Sequence, residues 1–214
     1  FDPYGPDVFV QDQSGAVWVD WTAGMPTPVA GDLIELQGVT TQRDFSPDLI
    51  KPRWRVIGKA PMPKPETVTF AGLASTSMDA RWVQVEGVVR WAVHQHRTPA
   101  ENHLRLVVAL KGGEISVLIP WENSMEPYHW IDATVRIQGV SGADFNFKNQ
   151  LVGVRINTPS LDYLKVLKAP SGDLSSVPID SIGALQTFSR RTRGDHRIKT
   201  SGIVTANVRG QGIY

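Results

Sequence analysis

Short segments in which apolar and other residues alternate make up most of the chain, and polar turns containing Gly or Pro separate them. VQVEGVVRWAV, DLIELQGV and ATVRIQGV show this period of two, which is typical of half-buried β-strands. QSGAV and KGGEI are typical of tight turns, because Gly tolerates positive φ. Only two short stretches, near 69–76 and 180–187, favour helix. The pattern therefore predicts a chain that is nearly all β.

The same order of segments occurs more than once. VFVQDQSGAVWVDW (8–21) matches LVVALKGGEISVLIPW (106–121), and GDLIELQGVT (31–40) matches DATVRIQGVS (132–141). RWRVIGKAP (53–61) matches YLKVLKAP (163–170), and RWVQVEGVVRWAV (81–93) resembles HRIKTSGIVTANV (196–208). The matches define a repeat unit of about 100–115 residues.

The repeat predicts how the chain is divided. The predicted units are a first module without its first strand (1–62), a linker with a short helix (63–79), a complete second module (80–170), a further linker with a short helix (171–195) and the first strand of another module (196–214). A sheet that lacks a strand leaves open edges, which favour strand pairing. We therefore expect 196–208 to pair with the first module, within one chain or between the two chains of a homodimer.

Two architectures fit strands of this number and spacing. Gly87 interrupts a long alternating strand, and Gly202 holds the matching position, as expected for a strand that bends from one sheet edge to another. About five strands per module favour tandem OB-like five-stranded barrels with short connecting helices. An immunoglobulin-like sandwich is the alternative, although it requires about seven strands per module.

Composition narrows the function classes. The chain has 214 residues and no Cys, which excludes thiolate zinc sites, disulfides and thiol catalysis. A net charge of +1 argues against strong non-specific binding to nucleic acid or anionic lipid. No apolar run approaches the ~20 residues that span a bilayer. Because the sequence does not begin with Met, we expect it to be a piece of a longer protein, so it does not indicate a location.

Three groups of residues carry candidate chemistry. Asp12 is either a ligand group or a turn residue whose carboxylate binds nearby amides. His94 and His96 share one strand face and form a weak candidate metal site, but no third ligand is evident. Five Arg or Lys residues lie in SRRTRGDHRIK (189–199). Together with candidate stacking residues they suggest a binding site for single-stranded nucleic acid; these aromatic residues are Phe9, Trp18, Trp54, Trp82 and Trp91. The plainer interpretation of the basic run is a solvated linker. We find no nucleophile elbow, no phosphate-binding loop and no paired carboxylates, and we expect no cofactor and no catalysis within this chain.

FVQDQSGAVWV, GDLIELQGVT, VIGKAPMPKP and WVQVEGVVR resemble the repeated OB-like sensor region of bacterial membrane signalling proteins, namely sensor histidine kinases and diguanylate cyclases of the acidobacterial type. Gly202-Ile203-Val204-Thr205, Phe9-Val10-Gln11-Asp12 and Gly31-Asp32 carry the motifs. The middle module departs from them at Leu110 and at Trp130-Ile131-Asp132. The resemblance implies a periplasmic input region whose kinase or cyclase output lies elsewhere in the protein.

These observations lead to one main hypothesis and two alternatives. The main one is a non-catalytic input region that binds an unidentified small molecule, polymer or protein. OB barrels bind ligands on the face of their second and third strands, which here predicts Phe9, Gln11, Trp18 and Asp20, with Trp54 nearby. The alternatives are a single-stranded nucleic-acid-binding protein and a structural spacer without a ligand.

Overall fold

A computed structural model describes residues 8–20, 26–42, 47–96, 102–146, 148, 150–170, 177, 179–185, 196–205, 207–208 and 212–213. Most of these residues are in β-strands, as the alternating pattern predicted. In the described part, no helix is long and apolar enough to cross a membrane.

The N-terminal strands form one four-stranded sheet, called here the first sheet. It consists of β1 (Val8–Gln11), β2 (Ala16–Val19), β3 (Asp32–Gln42) and β4 (Pro47–Lys59). The spatial order is β1-β2-β4-β3, in which β2 and β4 are parallel while the other neighbours are antiparallel.

The next strands close into a ring, called here the second barrel. Its elements are β5 (Glu66–Thr67), α1 (Phe70–Ala74), β6 (Trp82–His96), β7 (Asn102–Leu110), β8 (Gly113–Pro120), a 3₁₀ helix (Pro127–Trp130), β9 (Thr134–Phe145), β10 (Leu151–Asn157), a second 3₁₀ helix (Leu161–Tyr163) and β11 (Leu164–Lys168). The ring runs β6-β7-β8-β10-β9 and returns to β6, with β8 and β10 parallel. This is the strand order of an OB-type barrel, so the predicted all-β, OB-like fold is confirmed and the sandwich alternative is wrong.

Alternating apolar residues of the five ring strands fill the interior of the second barrel. They include Val83, Val85, Leu104, Leu106, Val117, Ile119, Val135, Ile137 and Ile156, each at most 1% exposed. Gly87 lies where β6 leaves β9 and crosses to β7, and a Cβ there would come within 2.4 Å of the Ala109 carbonyl oxygen. The long strand can therefore serve two neighbours because this position has no side chain.

The first sheet repeats four of the five strands of the ring. Its β1, β2, β3 and β4 pair in the same manner as β7, β8, β9 and β10, and the counterpart of β6 is not among them. Ile34 and Leu36 are only half-buried, although their repeat counterparts Val135 and Ile137 are fully buried. The apolar interior of the first sheet is thus partly open on the side that β6 covers in the second barrel.

A third copy of the connecting elements follows the second barrel. Ile179 pairs in parallel with Lys199, which repeats the pairing of Thr67 with Gln84. The Ser181 hydroxyl caps α2 (Ile182–Leu185) through the amide of Ala184, as Thr69 caps α1 through Gly72. β12 (Asn207–Val208) pairs with β13 (Gly212–Ile213). No described pairing joins these residues to the first sheet of the same chain, and pairing of 196–208 with that sheet stays a prediction.

Candidate ligand-binding faces

The predicted aromatic residues of the first hairpin lie directly opposite each other. Phe9 of β1 pairs with Trp18 of β2, and both side chains are half-buried. The neighbouring pair, Val8 with Val19, is buried in the interior. Since strand side chains alternate between faces, Phe9 and Trp18 lie on the outer face of the hairpin.

Gln11 lies two residues beyond Phe9 on β1 and continues this outer face, so three of the five predicted residues share one side. Asp20 follows the end of β2, and its amide donates a 2.9 Å hydrogen bond to the Leu49 carbonyl. The Gln11 side-chain oxygen accepts a hydrogen bond of 2.7 Å from the amide of Trp82, where β6 begins. Gln11 therefore connects the hairpin to the second barrel. A ligand on this face would lie beside the contact between the two units.

Trp54 lies elsewhere. It pairs with Leu36, whose repeat counterpart Ile137 is in the core of the second barrel, so the indole is on the inner side of the first sheet. Its indole N–H is buried and has no hydrogen-bond partner among the described residues. The structure thus places Phe9, Gln11 and Trp18 on one face, leaves Asp20 just beyond the end of β2, and puts Trp54 on the other face.

Asp12 has a structural role at the hairpin turn. One carboxylate oxygen accepts hydrogen bonds from the Ser14 amide (2.7 Å), the Ser14 hydroxyl (2.6 Å) and the Gly15 amide (2.9 Å). These bonds, led by the Ser14 hydroxyl, hold the pKa of Asp12 below its usual value. The interpretation of Asp12 as a turn residue is confirmed.

The second barrel presents a related outer face. Val107 of β7 and Ser116 of β8 form the pair that corresponds to Phe9 and Trp18. Trp91 of β6 pairs with Val107 on the other side and is 46% exposed. Arg105, two residues from Val107, donates a 3.1 Å hydrogen bond to the Ser116 hydroxyl. We call Trp91, Arg105, Val107 and Ser116 the Trp91 face.

The sequence indicated Trp91 only as one of five aromatic residues for stacking nucleic-acid bases, and it did not indicate Arg105, Val107 and Ser116. The available signal was the alternation of β7, in which Leu104, Leu106 and Val108 point inward. The residues between them therefore had to point outward, on the strand pair where OB barrels bind ligands.

The weak metal candidates lie where β6 and β8 end and β7 begins. His94 Nε2 is 2.7 Å and His96 Nδ1 is 3.3 Å from the side-chain oxygen of Asn102. The His94 ring stacks on Trp121, with centroids 3.7 Å apart and planes at 8°. Among the described residues no group of three or more His, Asp, Glu or Cys is placed to hold a metal ion. The cluster therefore consists of two imidazoles, an indole and a side-chain amide. The sequence did not indicate Trp121 and Asn102, because the ends of different strands meet only in the folded barrel.

Most of the predicted basic run lies outside the described residues, including Arg190, Arg191 and Arg193. The described end of that run contacts the second barrel. Asp132 Oδ1 accepts a 3.0 Å hydrogen bond from the Arg197 amide and lies 2.9 Å from His196 Nδ1. Trp82 begins β6, and Arg197, which holds the same repeat position, lies at the start of residues 196–205, called here the C-terminal segment. In both places a side chain of the preceding unit binds the backbone amide.

Comparisons with known proteins add little. No protein-family profile matches the chain, and no curated protein matches it. A solved structure described as a murine DNA-binding protein bound to double-stranded DNA is 12% identical and covers 76% of this chain and 86% of its own. Its TM-score is 0.36, a likeness too low to support an argument about fold or function.

Proposed function

We propose that this chain is a non-catalytic binding region, the periplasmic input region of a bacterial signalling protein whose output domain is a kinase or a cyclase. The signalling role rests on the resemblance carried by Phe9-Val10-Gln11-Asp12 and Gly31-Asp32. The single observation that carries the binding role is the exposed indole of Trp91 on the outer face of an OB-type barrel, the face that also carries the half-buried Arg105.

The chemistry of the Trp91 face favours a ligand with a flat or apolar surface and a hydrogen-bond acceptor. An exposed indole stacks on such a surface, and Arg105 supplies charged N–H donors. Val107 adds an apolar contact between the two. Sugars of a polymer, a small aromatic molecule or a protein side chain all satisfy this description.

Transmission of the signal would use the contacts between units. Gln11 binds the start of β6, and Asp132 binds the start of the C-terminal segment. A ligand changes the arrangement of the units only if it binds one arrangement more tightly than another. Binding beside Gln11 or across the Trp91 face provides such a preference when the ligand also contacts the neighbouring unit.

The test is a ligand screen with a matched pair of variants. Thermal shift against small molecules and cell-envelope polymers identifies a binder, and titration then compares Trp91→Ala with Tyr128→Ala. Tyr128 is an aromatic control that is 76% exposed on a 3₁₀ helix and is not one of the four residues of the Trp91 face. Loss of the stacking residue should weaken binding about tenfold, since such a contact contributes about 1–3 kcal/mol. Equal affinities for the two variants would exclude the Trp91 face as the site.

The same indole and guanidinium also fit single-stranded nucleic acid, which is the second candidate function. An oligonucleotide titration at several salt concentrations separates the two, because phosphate contacts weaken steeply with salt. Salt-dependent binding that Trp91→Ala weakens would favour the nucleic-acid function. If neither the screen nor the oligonucleotide gives binding, the structural-spacer hypothesis is favoured.

A further inference from the structure

Two imidazole nitrogens converge on one oxygen at the end of the second barrel. His94 Nε2 lies 2.7 Å and His96 Nδ1 lies 3.3 Å from the side-chain oxygen of Asn102. Donor atoms that bind one metal ion at ~2.0–2.2 Å lie about 2.9 Å apart at a right angle and about 3.4 Å apart at a tetrahedral angle. The two nitrogen–oxygen distances are therefore close to those within a chelating set.

The strands fix this arrangement. His94 and His96 are two residues apart on β6, so both side chains leave the strand on the same face. Asn102 of β7 lies directly opposite His96. The Asn102 carbonyl also accepts a 3.0 Å hydrogen bond from the amide of Trp121, the residue that follows β8. The three donors thus stand on adjacent strands of the closed ring, and an ion can bind without a change of the backbone.

The Trp121 indole holds the His94 ring in place. The two rings are parallel to within 8°, and their centroids are 3.7 Å apart. Trp121 itself packs against the buried core of the barrel, so the surface on which the imidazole rests is fixed. Contacts of this kind orient a ligating imidazole before the ion arrives and reduce the cost of ordering it.

We propose that His94 Nε2, His96 Nδ1 and the side-chain oxygen of Asn102 form a site for a divalent transition-metal ion, with Cu²⁺ bound most tightly. Imidazole suits Cu²⁺, Ni²⁺ and Zn²⁺, and the affinity of nitrogen and oxygen donors is greatest for Cu²⁺. Both histidines are exposed, so the ion enters from solvent and water completes its coordination. Each imidazole binds through the nitrogen that faces Asn102 and carries its proton on the other nitrogen.

This site is separate from the Trp91 face. His94 pairs with Leu104, which is fully buried in the barrel interior, whereas Val93 pairs with Arg105 of the Trp91 face. Alternation therefore puts the His94 side chain on the opposite side of β6 from that face. The metal site is an addition to the proposed function and does not depend on it.

Titration of the chain with Cu²⁺ alone, in a buffer that does not bind metals, tests the site. We expect one tightly bound Cu²⁺ per chain, and pulsed EPR should detect two imidazole nitrogens on it. His94→Asn and His96→Asn should each weaken binding at least about tenfold, since even the loss of a group that only orients a ligand weakens a metal site by about 10–100-fold. Far-UV circular dichroism checks that the variants keep the barrel.

His129→Asn is the matched control. His129 is also exposed, and it lies 3.0 Å from Glu126 on a 3₁₀ helix. This variant should bind Cu²⁺ as the unmodified chain does. The proposal would be overturned by the absence of tight Cu²⁺ binding, by unchanged affinity in His94→Asn and His96→Asn, or by an equal loss in His129→Asn.

Asn102→Asp tests the third donor. It keeps an oxygen at this position and adds a negative charge, so Cu²⁺ should bind several-fold more tightly, whereas Asn102→Ala should weaken binding. A merely structural amide would give no such gain. Unchanged or weaker binding in Asn102→Asp would overturn the three-donor site.

Fluorescence reports where the ion lies. Cu²⁺ quenches a nearby indole, and Trp121 is in contact with the His94 ring. Cu²⁺ should therefore quench part of the emission of the seven Trp, and Trp121→Phe should remove that part while keeping an aromatic ring beside His94. Trp18→Phe, in the first sheet, should leave the quenched part unchanged. The same quenched part in both variants would place the ion elsewhere and overturn the proposal.

Discussion

A side chain at residue 87 would meet the backbone of the neighbouring strand. The position of its Cβ is 2.4 Å from the Ala109 carbonyl oxygen and 2.7 Å from side-chain atoms of Val108 and Leu110. We expect Gly87→Ala to lower the free energy of unfolding by about 1–3 kcal/mol, because backbone and core must move to admit the methyl group. Denaturant unfolding followed by circular dichroism measures this.

Gly153→Ala is the matched control at the residue scale, since it adds the same methyl group to the same barrel. There the new Cβ would be 3.4 Å from the nearest atom, an Asp144 carboxylate oxygen, which is ordinary contact. Its unfolding free energy should stay close to that of the natural protein. If the two variants unfold alike, the close approach of β6 to β7 at Gly87 does not limit stability.

At the scale of elements, Asp132 fixes the start of the C-terminal segment on the second barrel. Its backbone has φ of 77°, a conformation that Gly and Asn adopt readily. Asp132→Gly keeps this backbone conformation and removes the side-chain oxygen that accepts the hydrogen bonds. Asp132→Asn keeps the backbone conformation and a side-chain oxygen. Amide hydrogen exchange at Arg197 should become roughly tenfold faster in Asp132→Gly and change less in Asp132→Asn, since a bond to a charged acceptor contributes about 1.5–3 kcal/mol. Equal exchange in both variants would show that Asp132 does not hold the segment.

The elements were largely predictable and their contacts were not. Period-two alternation and the internal repeat predicted the strands, and the OB-like repeat assigned Phe9, Gln11 and Trp18 to the hairpin of the second and third strands. Trp54 was expected near these residues, but the register shifts beside Gly38 and Lys51 has φ of 51°, so local spacing along β4 does not show which face Trp54 takes. The bond from Trp82 to Gln11 joins residues far apart in the chain, and no local pattern indicates it.

At the scale of the whole molecule, the two units should differ in stability because only one has a closed core. Leu104, Ile119 and Ile137 are fully buried in the second barrel, whereas Ile34 and Leu36 in the first sheet remain half-buried. Folding of the first sheet removes less apolar area from water than folding of the second barrel does. Its local unfolding should therefore cost less free energy. At low protein concentration, amides of β3 should therefore exchange hydrogen faster than those of β9.

β9 is the reference strand for this prediction, since both of its edges are already paired within the chain. Hydrogen exchange with mass spectrometry measures both strands in one sample. Equal protection of β3 and β9 in the dilute sample would mean that the half-open interior does not weaken the first sheet.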